Sequence, residues 1–77
     1  MSDIGGKQMG AFMIKKGDYL VELALTHEKS FEYAKAKELL LQAAGWYKKA
    51  GATDKLADAV KRAKEQDEKA KAKSEET

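Results

Sequence analysis

Residues 33–50 read YAKAKELLLQAAGWYKKA, and the spacing inside this stretch decides the fold. Tyr33, Ala36, Leu40, Ala43, Tyr47 and Ala50 recur at alternating intervals of three and four, which puts them on one stripe of an α-helix. Leu39 and Trp46 widen the stripe into an apolar arc. Lys35, Lys37, Glu38, Gln42, Lys48 and Lys49 occupy most of the other side, so the segment is a helix with a face to bury.

Working outward, Gly51 suits the left-handed position after a last turn whose Lys48 and Lys49 complement the carbonyl end. Thr53 is the expected cap of a following helix, whose stripe is Leu56, Val60 and Ala63 with Ala57 and Ala59 beside it. A connection this short lays the two helices antiparallel and side by side. Upstream, Ser30 is the expected cap of the central helix and Gly17–Asp18 the expected start of a first one, about Asp18 to Glu28. Its inward residues are Tyr19 or Leu20, Leu23, Ala24 and His27. No Gly or Pro separates it from the central helix, which leaves a single rod from Asp18 to Ala50 as the alternative, but the Ser30 cap favours a break.

The expected architecture is all-α: a three-helix bundle, or αα-hairpin, over residues 18–66. Before it, residues 1–17 hold four of the six glycines, and glycine costs a helix about 1 kcal/mol relative to alanine. That segment is read as loose, with a short amphipathic helix around Lys7 to Lys16 that gathers Met9, Phe12 and Met13 at i, i+3 and i+4. After the bundle, residues 67–77 read as a charged helical extension and a frayed tail.

Composition narrows the function. In 77 residues there is room for one small domain with a marginal core, and the absence of cysteine removes disulfide and thiolate-metal staples and is compatible with a reducing, cytoplasmic setting. The net charge of +2 arises from interspersed signs, Lys+Arg 15 against Asp+Glu 13, so no strong single-sign field attracts nucleic acid. No apolar run approaches the ~20 residues of a membrane span. His27 is the only histidine and lacks the second i, i+4 ligand of a zinc helix, so no metal site is expected. The serines and threonines sit where capping or chain ends explain them, and no nucleophile has an assignable base; neither catalysis nor a cofactor is expected.

Internal periodicity adds one resemblance. At a spacing of 34 residues Gly17 aligns with Gly51, Phe12 with Trp46 and Met13 with Tyr47. The second copy, Leu40, Ala43, Ala44, Tyr47, Gly51, Leu56, Val60 and Ala63, resembles a tetratricopeptide repeat, with Leu56 where that family usually has alanine. A competing frame takes Leu20, Leu23, Ala24, His27, Ala36, Leu40 and Ala43 as the hairpin, with Phe31 in place of the turn glycine. The run LALTHEKSFEYAKAKELLLQA also resembles the first hairpin of microtubule interacting and trafficking domains. These resemblances imply a helical protein-interaction module whose uncovered face needs a neighbour, since about three such repeats are normally required to bury it.

The expected function is therefore a non-enzymatic adaptor or assembly subunit that buries leftover apolar surface on a second copy of itself or on a partner helix or peptide. Its candidate contact residues are Tyr19, Leu39, Trp46, Tyr47, Met9, Phe12 and Met13. Trp46 and Tyr47 are about 100° apart on the helix, so one can fill the core while the other reaches the edge. An alternative is a small nucleic-acid-binding regulator using Lys55, Lys61, Arg62, Lys64, Lys69 and Lys71. The acids Asp54, Asp58, Glu65, Asp67 and Glu68 threaded among them argue against it. The segment from Lys7 to Lys16 is a further candidate surface, for lipid, ranked below the others.

Overall fold

The computed structural model describes residues 2–76, with side chains from Met9 to Glu75. Three helices follow one another: α1 (Ser2–Lys29), α2 (Tyr33–Ala50) and α3 (Thr53–Glu76). They form an all-α three-helix bundle in which α2 lies against both neighbours. The elongated body measures 57 × 18 × 12 Å because α1 runs past one end of α2 and α3 past the other.

Both corners are built the same way. At the first, the Phe31 amide donates to the Glu28 carbonyl (2.9 Å) and the Glu32 amide to the His27 carbonyl (2.9 Å). At the second, Gly51 donates to Lys48 (3.1 Å) and Ala52 to Tyr47 (2.9 Å). Each pair satisfies carbonyls left open at a helix end and requires one residue in the left-handed region. Gly51 takes that place with φ 72°, as expected from the sequence; at the first corner the residue is Phe31, with φ 63°.

Several sequence expectations are corrected. Gly17 does not break the chain: α1 is continuous from Ser2 to Lys29, so the separate head ending at residue 17 and a helix starting at Asp18 are replaced by one long helix. Neither Ser30 nor Thr53 is a cap: α2 begins at Tyr33 after Glu32, whose side chain makes no capping bond, and Thr53 is already the first residue of α3. A single rod from Asp18 to Ala50 is excluded by the corner at 30–32. In α3, Ala59 and Ala63 are buried while Leu56 and Val60 are only half-buried and Ala57 is exposed, so the stripe sits slightly rotated from the one expected.

The core is Leu20 and Ala24 from α1, Ala36, Leu39, Leu40, Ala43, Ala44 and Tyr47 from α2, and Ala59 and Ala63 from α3. Alanine dominates it, which lets backbones approach closely but removes little apolar surface from water. Gly17 is the extreme case of close approach. A Cβ added there would lie 2.5 Å from Tyr47 Cε1, 2.8 Å from Cζ and 2.9 Å from Cδ1, so the missing side chain is the space the Tyr47 ring occupies. The glycine is selected by packing between helices and carries no turn.

Candidate interaction surfaces

Antiparallel pairing of α1 and α2 about the first corner sets Gly17 opposite Tyr47, and this register sorts the candidate contact residues. Tyr47 and Leu39 are buried, 3% and 5% exposed, so neither lines an open groove as the sequence suggested. Tyr19 is 57% exposed because Leu20, its neighbour, turns inward instead. Met9 and Phe12 are exposed, and Met13 and Trp46 are half-buried. Of the seven residues the structure brings Phe12 and Trp46 into direct ring contact, with centroids 6.2 Å apart and planes at 89°. Lys49 Nζ lies 5.2 Å from the Trp46 centroid, close enough for a cation–π contact at the rim of this pair.

Two stripes therefore run along α1. Met13, Gly17, Leu20 and Ala24 follow the spacing of three and four toward the core. Met9, Phe12, Tyr19 and half-buried Leu23 follow the same spacing on an adjacent flank, with Lys16 among them, and most of that flank faces outward.

On another side, α1 and α3 scarcely approach along their backbones and are joined by polar side chains at two levels. At the first, the Tyr47 hydroxyl donates to Asp18 Oδ1 (2.5 Å) and Lys55 Nζ donates to the same oxygen (3.0 Å), so one carboxylate binds all three helices together. The Tyr47 bond, and then Lys55, hold the Asp18 carboxyl below its usual range, while burial and then the Asp18 bond push the Tyr47 phenol well above its own. At the second, Lys69 pairs with Glu28, and its donated bond, with a further one from Gln66, lowers the Glu28 pKa while that of Lys69 rises. Gln66 is 4% exposed, and its Oε1 finds no protein donor. Between the two levels lies a cleft of about 260 Å³ walled by Val21, Leu25 and Leu40.

Sequence reasoning missed both polar levels and the role of Gly17. Reading the corner at 30–32 as an antiparallel reversal would have placed 17 opposite 47 and found the second; nothing in the charge pattern of 64–73 singles out Gln66 or Lys69. His27 stands half-buried at the end of α1, its Nδ1 donating to Glu32 Oε1 at 2.8 Å across the corner. Among the described residues no cluster of three or more His, Asp or Glu is placed to hold a metal, and no helix is long and apolar enough to cross a membrane.

Comparison of the chain with protein-family models, curated proteins and solved structures finds no match in any of the three.

Proposed function

We propose that the chain is a small non-enzymatic interaction module that covers the outer flank of α1, together with Trp46, against a second copy of itself. One observation carries this reading. Among the described residues only four large apolar side chains are buried, Leu20, Leu39, Leu40 and Tyr47, while six are strongly exposed: Met9, Phe12, Tyr19, Leu25, Phe31 and Leu41. Burying a Leu- or Phe-sized side chain is worth about 1.5–3 kcal/mol. Large apolar side chains left this open to water are a favourable term that association can add to the core's own. Met9, Phe12 and Tyr19 share one helical flank, so a single partner helix covers them together.

The reading is tested by sedimentation equilibrium of the whole chain, with Phe12→Ser and Tyr19→Ser as variants. The wild type is expected to associate at micromolar concentration and the variants to shift toward monomer with their helix content retained. A wild-type chain that is folded and monomeric under those conditions refutes the proposal. The nucleic-acid alternative is weaker because Lys55, Arg62, Lys69 and Lys71, four of its six cations, are already paired with Asp18, Asp58, Glu28 and Asp67.

A further inference from the structure

Phe31 presents an aromatic ring that the fold does not need. The two corners share the same pattern of backbone bonds twenty positions apart, His27, Glu28, Phe31 and Glu32 matching Tyr47, Lys48, Gly51 and Ala52. At the left-handed position the second corner has glycine, which occupies it without steric cost, and the first has phenylalanine, for which positive φ is an outlier. Burial does not explain the exception: Phe31 is 62% exposed, the most open of the large apolar residues among those described. An edge-to-face contact with Tyr33, centroids 6.3 Å apart, and the bond from Lys73 Nζ to the Phe31 carbonyl (2.7 Å) fix where the ring stands.

Where it stands is a hollow. Phe31, Tyr33 and Lys73 line two adjoining dents of about 460 and 360 Å³ at the end of the bundle, the larger floored also by Ala34 and Ala70. The charges around them are lopsided. Lys35 and Lys73 line the dents against a single carboxylate, Glu32, which His27 already engages, while the third cation, Lys69, is already paired with Glu28. Of these cations Lys35 is held only loosely, 3.8 Å from Glu38, and α2 starts here with Glu32 at its N-cap position as the one acid near its positive end. An apolar hollow with a cationic rim fits an apolar side chain flanked by carboxylates.

We propose that the Phe31 corner docks a short acidic peptide segment through one apolar side chain set against the Phe31 and Tyr33 rings. The strained position is retained because it aims the ring outward into that hollow. This site lies on the corner and is separate from the α1 flank through which self-association is proposed, so the two readings fail independently.

The test uses the full chain and a fluorescein-labelled peptide in which one leucine has two aspartates on each side, with the asparagine analogue as control. Fluorescence anisotropy is expected to show saturable binding of the aspartate peptide, weakened about tenfold or more in the Phe31→Gly variant, the scale of losing a central aromatic anchor. The asparagine analogue is expected to bind as weakly. Phe31→Gly is expected at the same time to unfold at a urea concentration no lower than wild type, because glycine relaxes the corner; Phe31→Ala, which keeps the strain, loses the peptide and unfolds close to the wild-type urea concentration. Absence of saturable binding by the wild type, or equal binding by Phe31→Gly, overturns the proposal. So does Phe31-dependent binding to phosphatidylserine vesicles in place of the peptide, or a shift of Phe31→Gly to monomer in sedimentation, which would assign the corner to a contact between copies.

Discussion

Replacing Gly17 by alanine should destabilise the bundle although alanine is the better helix former. The added Cβ would sit 2.5–2.9 Å from three atoms of the Tyr47 ring, where carbon atoms normally rest about 3.5–4.0 Å apart. Relief requires the ring to shift by about 1 Å. The ring cannot swing away cheaply: Tyr47 is 3% exposed and its hydroxyl is tied to Asp18 at 2.5 Å. Overpacking of this kind costs about 1–3 kcal/mol, against a propensity gain of about 1 kcal/mol. Gly45→Ala is the matched control, since it sits in mid-helix with nothing within 4 Å of its added Cβ and takes the propensity gain alone. The propensity gain is common to both variants, so the difference between them isolates the steric term, about 1–3 kcal/mol, or roughly 4–8 °C in melting temperature for each kcal/mol. Urea unfolding followed by circular dichroism at one protomer concentration measures it. Making the same change in a Tyr47→Leu background should abolish most of the penalty, as a coupled pair requires. If Gly17→Ala proves as stable as Gly45→Ala, the ring does not fill the space at Gly17 and the register of α1 on α2 is wrong.

Other outcomes follow from the polar levels and corners. Tyr47→Phe removes a hydrogen bond to a partly exposed carboxylate and should cost about 1–2 kcal/mol in urea unfolding. The same variant tests the alkaline limb: the folded phenol keeps its proton above the ordinary value of 10.0, so the folded state binds more protons there, wild-type stability falls as pH rises through that region, and Tyr47→Phe should flatten the decline. At the acid end the sign reverses. Asp18 and Glu28 are held below their ordinary 3.8 and 4.5, so their contribution is present above those values and lost as pH falls through the lower folded ones; Asp18→Asn with Glu28→Gln should shorten the acid limb, and an unchanged limb would remove both groups from the account. Phe31→Gly should exceed Phe31→Ala in stability by about 1 kcal/mol, the cost of a side chain in the left-handed region, and equal midpoints would show the corner unstrained.

The fold was legible where one physical cause produced the pattern. In α2 the periodicity of Tyr33, Ala36, Leu40, Ala43, Tyr47 and Ala50 reports burial alone, and these residues do face the interior, four of them buried and Tyr33 and Ala50 half-buried. Gly51, followed by a new apolar stripe, was legible as a corner for the same reason. Gly17 was not, because a glycine marks either a backbone that needs positive φ or a neighbour that needs room, and the sequence around it does not separate the two. Asp18 strengthened the wrong choice by looking like a cap; its carboxylate instead receives Tyr47 and Lys55 from residues 29 and 37 positions away. The candidate contact residues divided along the same line. Spacing placed Trp46 and Tyr47 about 100° apart with Tyr47 on the stripe, but that the Tyr47 ring goes fully inside depends on the space at Gly17, a feature of another helix.

The two corners show how far a repeated geometry can be hidden from a reading of residue types. A spacing of 34 aligns Gly17 with Gly51, yet Gly17 lies inside α1 and the structural counterpart of Gly51 is Phe31, at a spacing of twenty. The backbone repeats while the chemistry diverges: where the second corner sets Ala52 after its glycine, the first sets Glu32, which bonds to His27 across the turn. That bond, with Lys73 on the Phe31 carbonyl, supplies the local attachments that let a bulky side chain stay in a position suited to glycine. At Gly17 a side chain is removed to admit Tyr47; at Phe31 one is kept against backbone preference and turned toward solvent. The first exception is accounted for inside the molecule by the ring it accommodates, whereas the attachments at the second permit the exposed ring without using it, and the docking proposed at the Phe31 corner is what would supply that use.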